Sequence, residues 1–174
     1  VIPHMQRGAD APIFADANAR YPVLLFSHGL LGSPISDDYT SALRIFASWG
    51  YVVVAPFHGD SRYANVKLED FEDQIYALLH IKDFVAMQAV RPLSLSKALD
   101  AVLAHPHFAA HVDPSRVGGF GASLGGESLL LMGGAALTTS LGQASNRVLV
   151  DPRLKAAVGY VPYFGIDVYP AFGR

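Results

Sequence analysis

Six residues, Gly121-Ala122-Ser123-Leu124-Gly125-Gly126, restrict the folds open to this chain more than any other stretch. They follow the apolar, β-branched run Arg116-Val117-Gly118-Gly119-Phe120. After them comes a small-residue run, Gly126 to Gly134, that carries Leu129, Leu130, Leu131 and Met132 as a packed helix would. Ser123 therefore falls where a strand turns sharply into a helix. A G-x-S-x-G turn of this kind is strained, and it lifts the serine hydroxyl above the sheet only if the residues two before and two after are small. Gly121 and Gly125 meet that condition. In a chain with 16 glycines the pattern also arises in loops by chance, so a glycine-rich turn with an incidental serine stays open on the motif alone. A phosphate-cradling loop is disfavoured, because no Lys-Ser or Lys-Thr pair closes the motif and no G-x-G-x-x-G opens it.

A second motif lies far upstream. Tyr21-Pro22-Val23-Leu24-Leu25-Phe26 reads as a continuous apolar strand running into Ser27-His28-Gly29-Leu30-Leu31-Gly32. Such a loop can lend a backbone N–H to a developing oxyanion, and one preorganised donor is worth about 2.7 to 4 kcal/mol. The expected donors are the amides of Leu124, directly after Ser123, and of Leu30. His28 has two readings, a ring that fixes the loop by hydrogen bonds or a participant in proton transfer.

Apolar strands alternating with helical patterns argue an α/β class with a mostly parallel sheet covered by helices on both faces. Strands are read near 23–27, 51–57, 116–120 and 155–161, with Val112-Asp113-Pro114-Ser115 as a turn before the third. Helices are read at about 37–49, 69–89 and 93–104, the second with an acidic first turn of Glu69, Asp70, Glu72 and Asp73 suited to the positive end of its dipole. No repeat, low-complexity tract or linker divides the 174 residues, and a 51% hydrophobic content is ample for one core. A formal charge of −2 provides no basic footprint for nucleic acid, and no uninterrupted apolar run reaches the roughly 18 residues of a membrane span. With no cysteine there is no disulfide and no thiolate metal site. His105, His107 and His111 lack a metal-ligand spacing such as H-E-x-x-H, so neither a metal nor an organic cofactor is expected.

Taken in order, Phe26-Ser27-His28-Gly29-Leu30, then Arg91-Pro92 with Leu99-Asp100-Ala101-Val102-Leu103, then Val112 to Val117 and Gly121 to Gly126, resemble the α/β-hydrolase superfamily. Within it the chain is most similar to the dienelactone-hydrolase-like and platelet-activating-factor-acetylhydrolase-like serine esterases, with cutinases and polyester hydrolases nearby. Dienelactone hydrolases carry a cysteine at the nucleophile, whereas this chain has Ser123, which steers the expected chemistry to ordinary carboxylic esters. The resemblance implies a small-molecule ester substrate, a covalent acyl-serine intermediate and no cofactor. It further implies that residues 1–174 are the central part of one α/β-hydrolase domain, incomplete at both ends, and it points to a secreted or periplasmic setting. The stretch 64–90 is longer than a plain crossover needs and is read as a cap over the site.

In that superfamily the chain order is nucleophile, acid, histidine. Here His4, His28, His58, His80, His105, His107 and His111 all precede Ser123. Three readings follow: a second polypeptide segment supplies the acid and histidine; an unconventional base lies in the chain; or the fold is a binding module without catalysis. Strand spacing of about 4.8 Å makes His28 the in-chain base candidate, and Asp167, after the last strand, is the in-chain acid candidate. Asp151, before that strand, belongs to a turn at the opposite end of the sheet. An acyltransferase would use the same serine while excluding water.

Overall fold

The computed structural model of the chain describes residue 16 and residues 18–60, 71–138 and 145–162. Its elements in order are β1 (Tyr21–Ser27), α1 (Asp37–Ser48), β2 (Val52–Val54), α2 (Phe71–Leu79), α3 (Ile81–Ala104), β3 (Val112–Ala122), α4 (Leu124–Met132), β4 (Ala136–Thr138), β5 (Ser145–Arg147) and β6 (Leu154–Tyr160). Four strands form one sheet in the order β2-β1-β3-β6, all parallel, and β4 pairs antiparallel with β5.

Alternation along β1 divides the core between the two faces of the sheet. Val23 and Leu25 point into a cluster with Leu95 and Leu99 of α3, Leu129 and Met132 of α4, and Val117 of β3. Phe26, one residue on, faces the other way, onto Tyr39 of α1 at 5.0 Å between ring centroids and Phe120 at 5.9 Å. Phe46 of α1 completes that layer against Phe120 at 5.6 Å. The sheet thus carries α1 on one face and α3 with α4 on the other, as the alternating pattern in the sequence predicts.

Three local features differ from the sequence reading. The second strand is confined to Val52–Val54, because Pro56 lacks the N–H that a ladder would require. The turn at Asp113–Ser115 lies inside β3 as an irregularity. There Pro22 pairs with Asp113 and Val23 with Val117, and Asp113 accepts the Ser115 amide at 2.9 Å. The helical break falls at His80 and not at Arg91-Pro92, so α3 runs 24 residues through Pro92. A proline inside a helix costs about 3 kcal/mol. Here Val85, Gln88, Pro92, Leu95 and Leu99 are all buried at helical spacing, and that packing holds the helix together across it.

Every residue of α4 except Leu130 is buried, and its first turn lies against the end of β1. A Cβ on Gly125 would overlap the Ser27 carbonyl, and one on Gly121 would overlap the Gly125 carbonyl. Gly125→Ala is therefore expected to destabilise the fold by more than about 3 kcal/mol. Gly59→Ala meets no atom within 4 Å and bears only its positive φ of 64°, a cost of about 1 kcal/mol. Urea unfolding of the two variants checks this, and equal losses would contradict the close approach.

Candidate active site

Ser123 stands at the junction of β3 and α4 with φ 50° and ψ −119°, a left-handed-side conformation that a side chain rarely adopts. Its backbone is held on both sides. The amide donates to the Tyr160 carbonyl at 3.0 Å, and its carbonyl accepts the Gly126 amide at 2.9 Å and the Glu127 amide at 3.3 Å. The residue is exposed while its neighbours Ala122 and Leu124 are buried. Strain at one residue, fixed by its surroundings, is how a turn keeps a side chain raised.

The loop after β1 runs beside this turn. A Cβ on Gly29 would come within 3.5 Å of Ser123 Cβ. Leu31 takes a positive φ of 58°, and the Gly32 amide closes a turn onto the Gly29 carbonyl at 3.1 Å. Among the described residues neither the Leu30 nor the Leu124 amide donates to an acceptor, so the two N–H groups expected from the sequence are both unengaged. The side chains of Leu30 and Leu124 pack with Phe84 and Met87 of α3, within the segment expected to form a cap; its residues 64–70 lie outside the described residues.

Below the loop lies a buried polar layer. Arg91 of α3 is fully buried and donates from Nη1 to the His28 carbonyl at 2.7 Å and from Nη2 to the Gly29 carbonyl at 3.2 Å. Its Nε reaches Asp60 Oδ1 at 3.1 Å, and Nη2 pairs with Asp60 Oδ2. His58 bridges Ser27 Oγ at 2.8 Å and Ser94 Oγ at 2.7 Å, while Ser94 donates its one hydroxyl proton to the Arg91 carbonyl at 2.8 Å. Donor counting then fixes His58 as the neutral Nδ1–H form, with Nε2 accepting from Ser27. Burial, aided by the positive charge of Arg91, depresses its pKa to about 2, so it stays neutral at working pH.

His28 is buried too, and its Nδ1 donates to the Gly29 carbonyl at 2.8 Å. Burial is the main cause that lowers its pKa, opposed by that hydrogen bond. Among the described residues no hydrogen bond joins either ring to Ser123 Oγ. Asp167 lies outside the described residues. Asp151 sits before β6 at the far end of the sheet, paired with Arg153, whose hydrogen bonds hold its carboxyl down to about 2. No group of His, Asp and Glu among the described residues forms a metal cluster.

Sequence reasoning did not single out Arg91, Gln88 or Glu127 as site residues. Glu127 follows Ser123 by four positions, is wholly buried, and accepts Gln88 Nε2 on both oxygens at 2.7 and 2.8 Å. Burial raises its pKa to about 7, against the opposing pulls of Gln88 and Arg91.

A parallel sheet, a strand-to-helix serine turn next to the glycine loop of the adjacent strand, and helices on both faces decide the architecture. The fold is that of an α/β-hydrolase. A family model for platelet-activating factor acetylhydrolase, isoform II, matches residues 8–92, which include β1 and the His28–Leu30 loop and end before the serine turn. No curated protein matches the chain. Among solved structures, esterase 2 of Thermogutta terrifontis phosphonylated by sarin is similar at 19% identity and a TM-score of 0.48, over 90% of this chain and 47% of that one. The same esterase phosphorylated by paraoxon matches at 18% identity and 0.48, over 95% and 53%. Its native form matches at 19% and 0.46, over 90% and 46%. This chain spans about half the length of these structures.

Glu127 makes stability pH-dependent in a defined direction. Its folded pKa of about 7 lies above the ordinary 4.5, so the folded protein keeps a proton that the unfolded chain has released. Stability is full below about pH 4.5 and declines as pH rises through 7, by up to ~3 kcal/mol. Glu127→Gln should remove most of this slope when unfolding free energies are compared at pH 5 and pH 8. An unchanged slope would show that other groups set it.

Proposed function

We propose that this chain carries the nucleophile and oxyanion-binding part of a carboxylic ester hydrolase acting through Ser123. The observation that carries the reading is the exposed, strained Ser123 beside the Gly29 loop, with the amides of Leu30 and Leu124 unengaged among the described residues. The match of residues 8–92 to an acetylhydrolase family supports ester cleavage as the chemistry.

In this reaction a base removes the Ser123 proton as Oγ attacks the ester carbonyl, and the carbonyl electron pair moves onto oxygen, facing the two amides. Collapse expels the alcohol, which takes up the proton from the base, and leaves an acyl-serine. Water then repeats the sequence and releases the acid. His58 cannot act as the base, since both ring nitrogens are engaged within the buried layer. His28 donates from Nδ1 to the Gly29 carbonyl, and among the described residues its ring makes no hydrogen bond to Ser123 Oγ. The base and its orienting acid are therefore assigned to residues outside those described, with Asp167 the acid candidate within the chain. Phe84 and Met87 pack against the Leu30 and Leu124 side chains, a placement that fits residues 64–90 capping a small-molecule ester.

A fluorophosphonate probe tests the assignment, because it reacts only with an activated serine. The intact protein should be modified once, at Ser123. Ser123→Ala should abolish labelling and lower p-nitrophenyl ester hydrolysis at least ~10⁴-fold. An intact protein inert to the probe points instead to a binding module. Ester formation from an added alcohol in place of acid release would identify an acyltransferase.

A further inference from the structure

Oxyanion binding requires one particular peptide group to keep its orientation. The Gly29–Leu30 unit is planar and trans, so its C=O and N–H point in opposite directions. Holding the carbonyl therefore aims the Leu30 amide. The adjoining residue is a glycine, the type whose backbone turns most freely. An unrestrained Gly29 could rotate this unit and present a carbonyl to the substrate oxygen where a donor belongs.

Arg91 opposes that rotation at two points. Of the four polar atoms in the two peptide groups flanking Gly29, three are engaged among the described residues. The His28 carbonyl is held by Arg91 Nη1 at 2.7 Å, and the Gly29 amide donates to Tyr39 Oη at 3.3 Å. The Gly29 carbonyl receives Arg91 Nη2 at 3.2 Å, His28 Nδ1 at 2.8 Å and the Gly32 amide at 3.1 Å. The fourth atom, the Leu30 amide, is the one left for the oxyanion. Asp60, in the loop after β2, fixes the guanidinium through Nε and Nη2, leaving its remaining edge turned to the two carbonyls. The planar fork is what permits this, since an ammonium group could not match both geometries together.

We propose that Arg91, oriented by Asp60, is a positioning residue that locks the Gly29–Leu30 peptide with its amide toward the substrate oxygen; the proposal rests on the function assigned to Ser123. A misplaced donor affects the transition state far more than ground-state binding.

The experiment compares Arg91→Met, Arg91→Lys and Asp60→Asn in the intact protein, each confirmed folded by circular dichroism. With a p-nitrophenyl ester, Arg91→Met should lose about 100-fold in kcat with KM little changed. A trifluoromethyl ketone, which forms a tetrahedral adduct on the serine, should lose affinity in parallel. Arg91→Lys and Asp60→Asn should fall between this variant and the wild type. Should Arg91→Met not fold, these two carry the same comparison. A folded variant with wild-type kcat, or one that loses kcat and substrate affinity equally, overturns the role. Wild-type protein that fails to label at Ser123 refutes the functional reading itself, an outcome separable from the first.

Discussion

The first turn of α4 lies against the last carbonyls of β1 with no side chain between them. Gly125 has no room for a Cβ beside Ser27, and Gly121 has none beside Gly125. This backbone contact sets the distance between two elements that are far apart in sequence, the serine turn and the His28–Leu30 loop. Because the strands are parallel neighbours in fixed register, with Ser27 opposite Gly121, both features emerge at the same edge of the sheet. The strained φ of Ser123 is tolerated because β6 on one side and the start of α4 on the other hold its backbone in place.

Beneath that edge the core changes character. Toward the other end of the sheet α3 packs Leu95 and Leu99 into an aliphatic cluster, whereas its Gln88 and Arg91 lie in a polar layer under the site. Burying a guanidinium and a carboxylate is unfavourable unless their hydrogen bonds are nearly complete, and replacement by apolar residues is often neutral or stabilising. Arg91 meets this demand with four hydrogen bonds to Asp60 and the loop carbonyls. Gln88 ties α3 to α4 through Glu127 in the same way. One face of a single helix therefore joins the loop to the helix that follows the serine.

Much of this was legible in the sequence, because it depends on local rules. The serine turn follows from glycine spacing, the sheet from apolar runs, and α1 from the helical pattern read at about 37–49. The helical break was not. A proline next to a buried arginine reads locally as a stop, and only contacts with distant strands show that α3 continues through it. The irregularity in β3 was hidden for a related reason, since Asp113-Pro114-Ser115 makes the same local turn whether or not a strand resumes in register beyond it. Arg91 and Glu127 were illegible as site residues because their partners lie 31 to 63 and 39 positions away. The one local hint at Glu127 was a lone carboxylate in a helix otherwise made of glycine, serine, leucine and methionine.

The two histidines nearest the serine turn illustrate why residue type alone does not assign a base. A base needs a free nitrogen and a pKa near the working pH. His58 has neither: its ring is neutral, saturated by two serines, and pushed down to about 2. His28 is depressed by the same burial and held to a carbonyl by Nδ1. Neutral rings serve this layer better than charged ones would, because Arg91 already supplies a cation there and a second would repel it. A buried shell built to orient peptide groups is thus poorly suited to move protons. In the proposed reaction, then, that shell's own electrostatics suit it to setting donors and leave proton transfer to a group outside it.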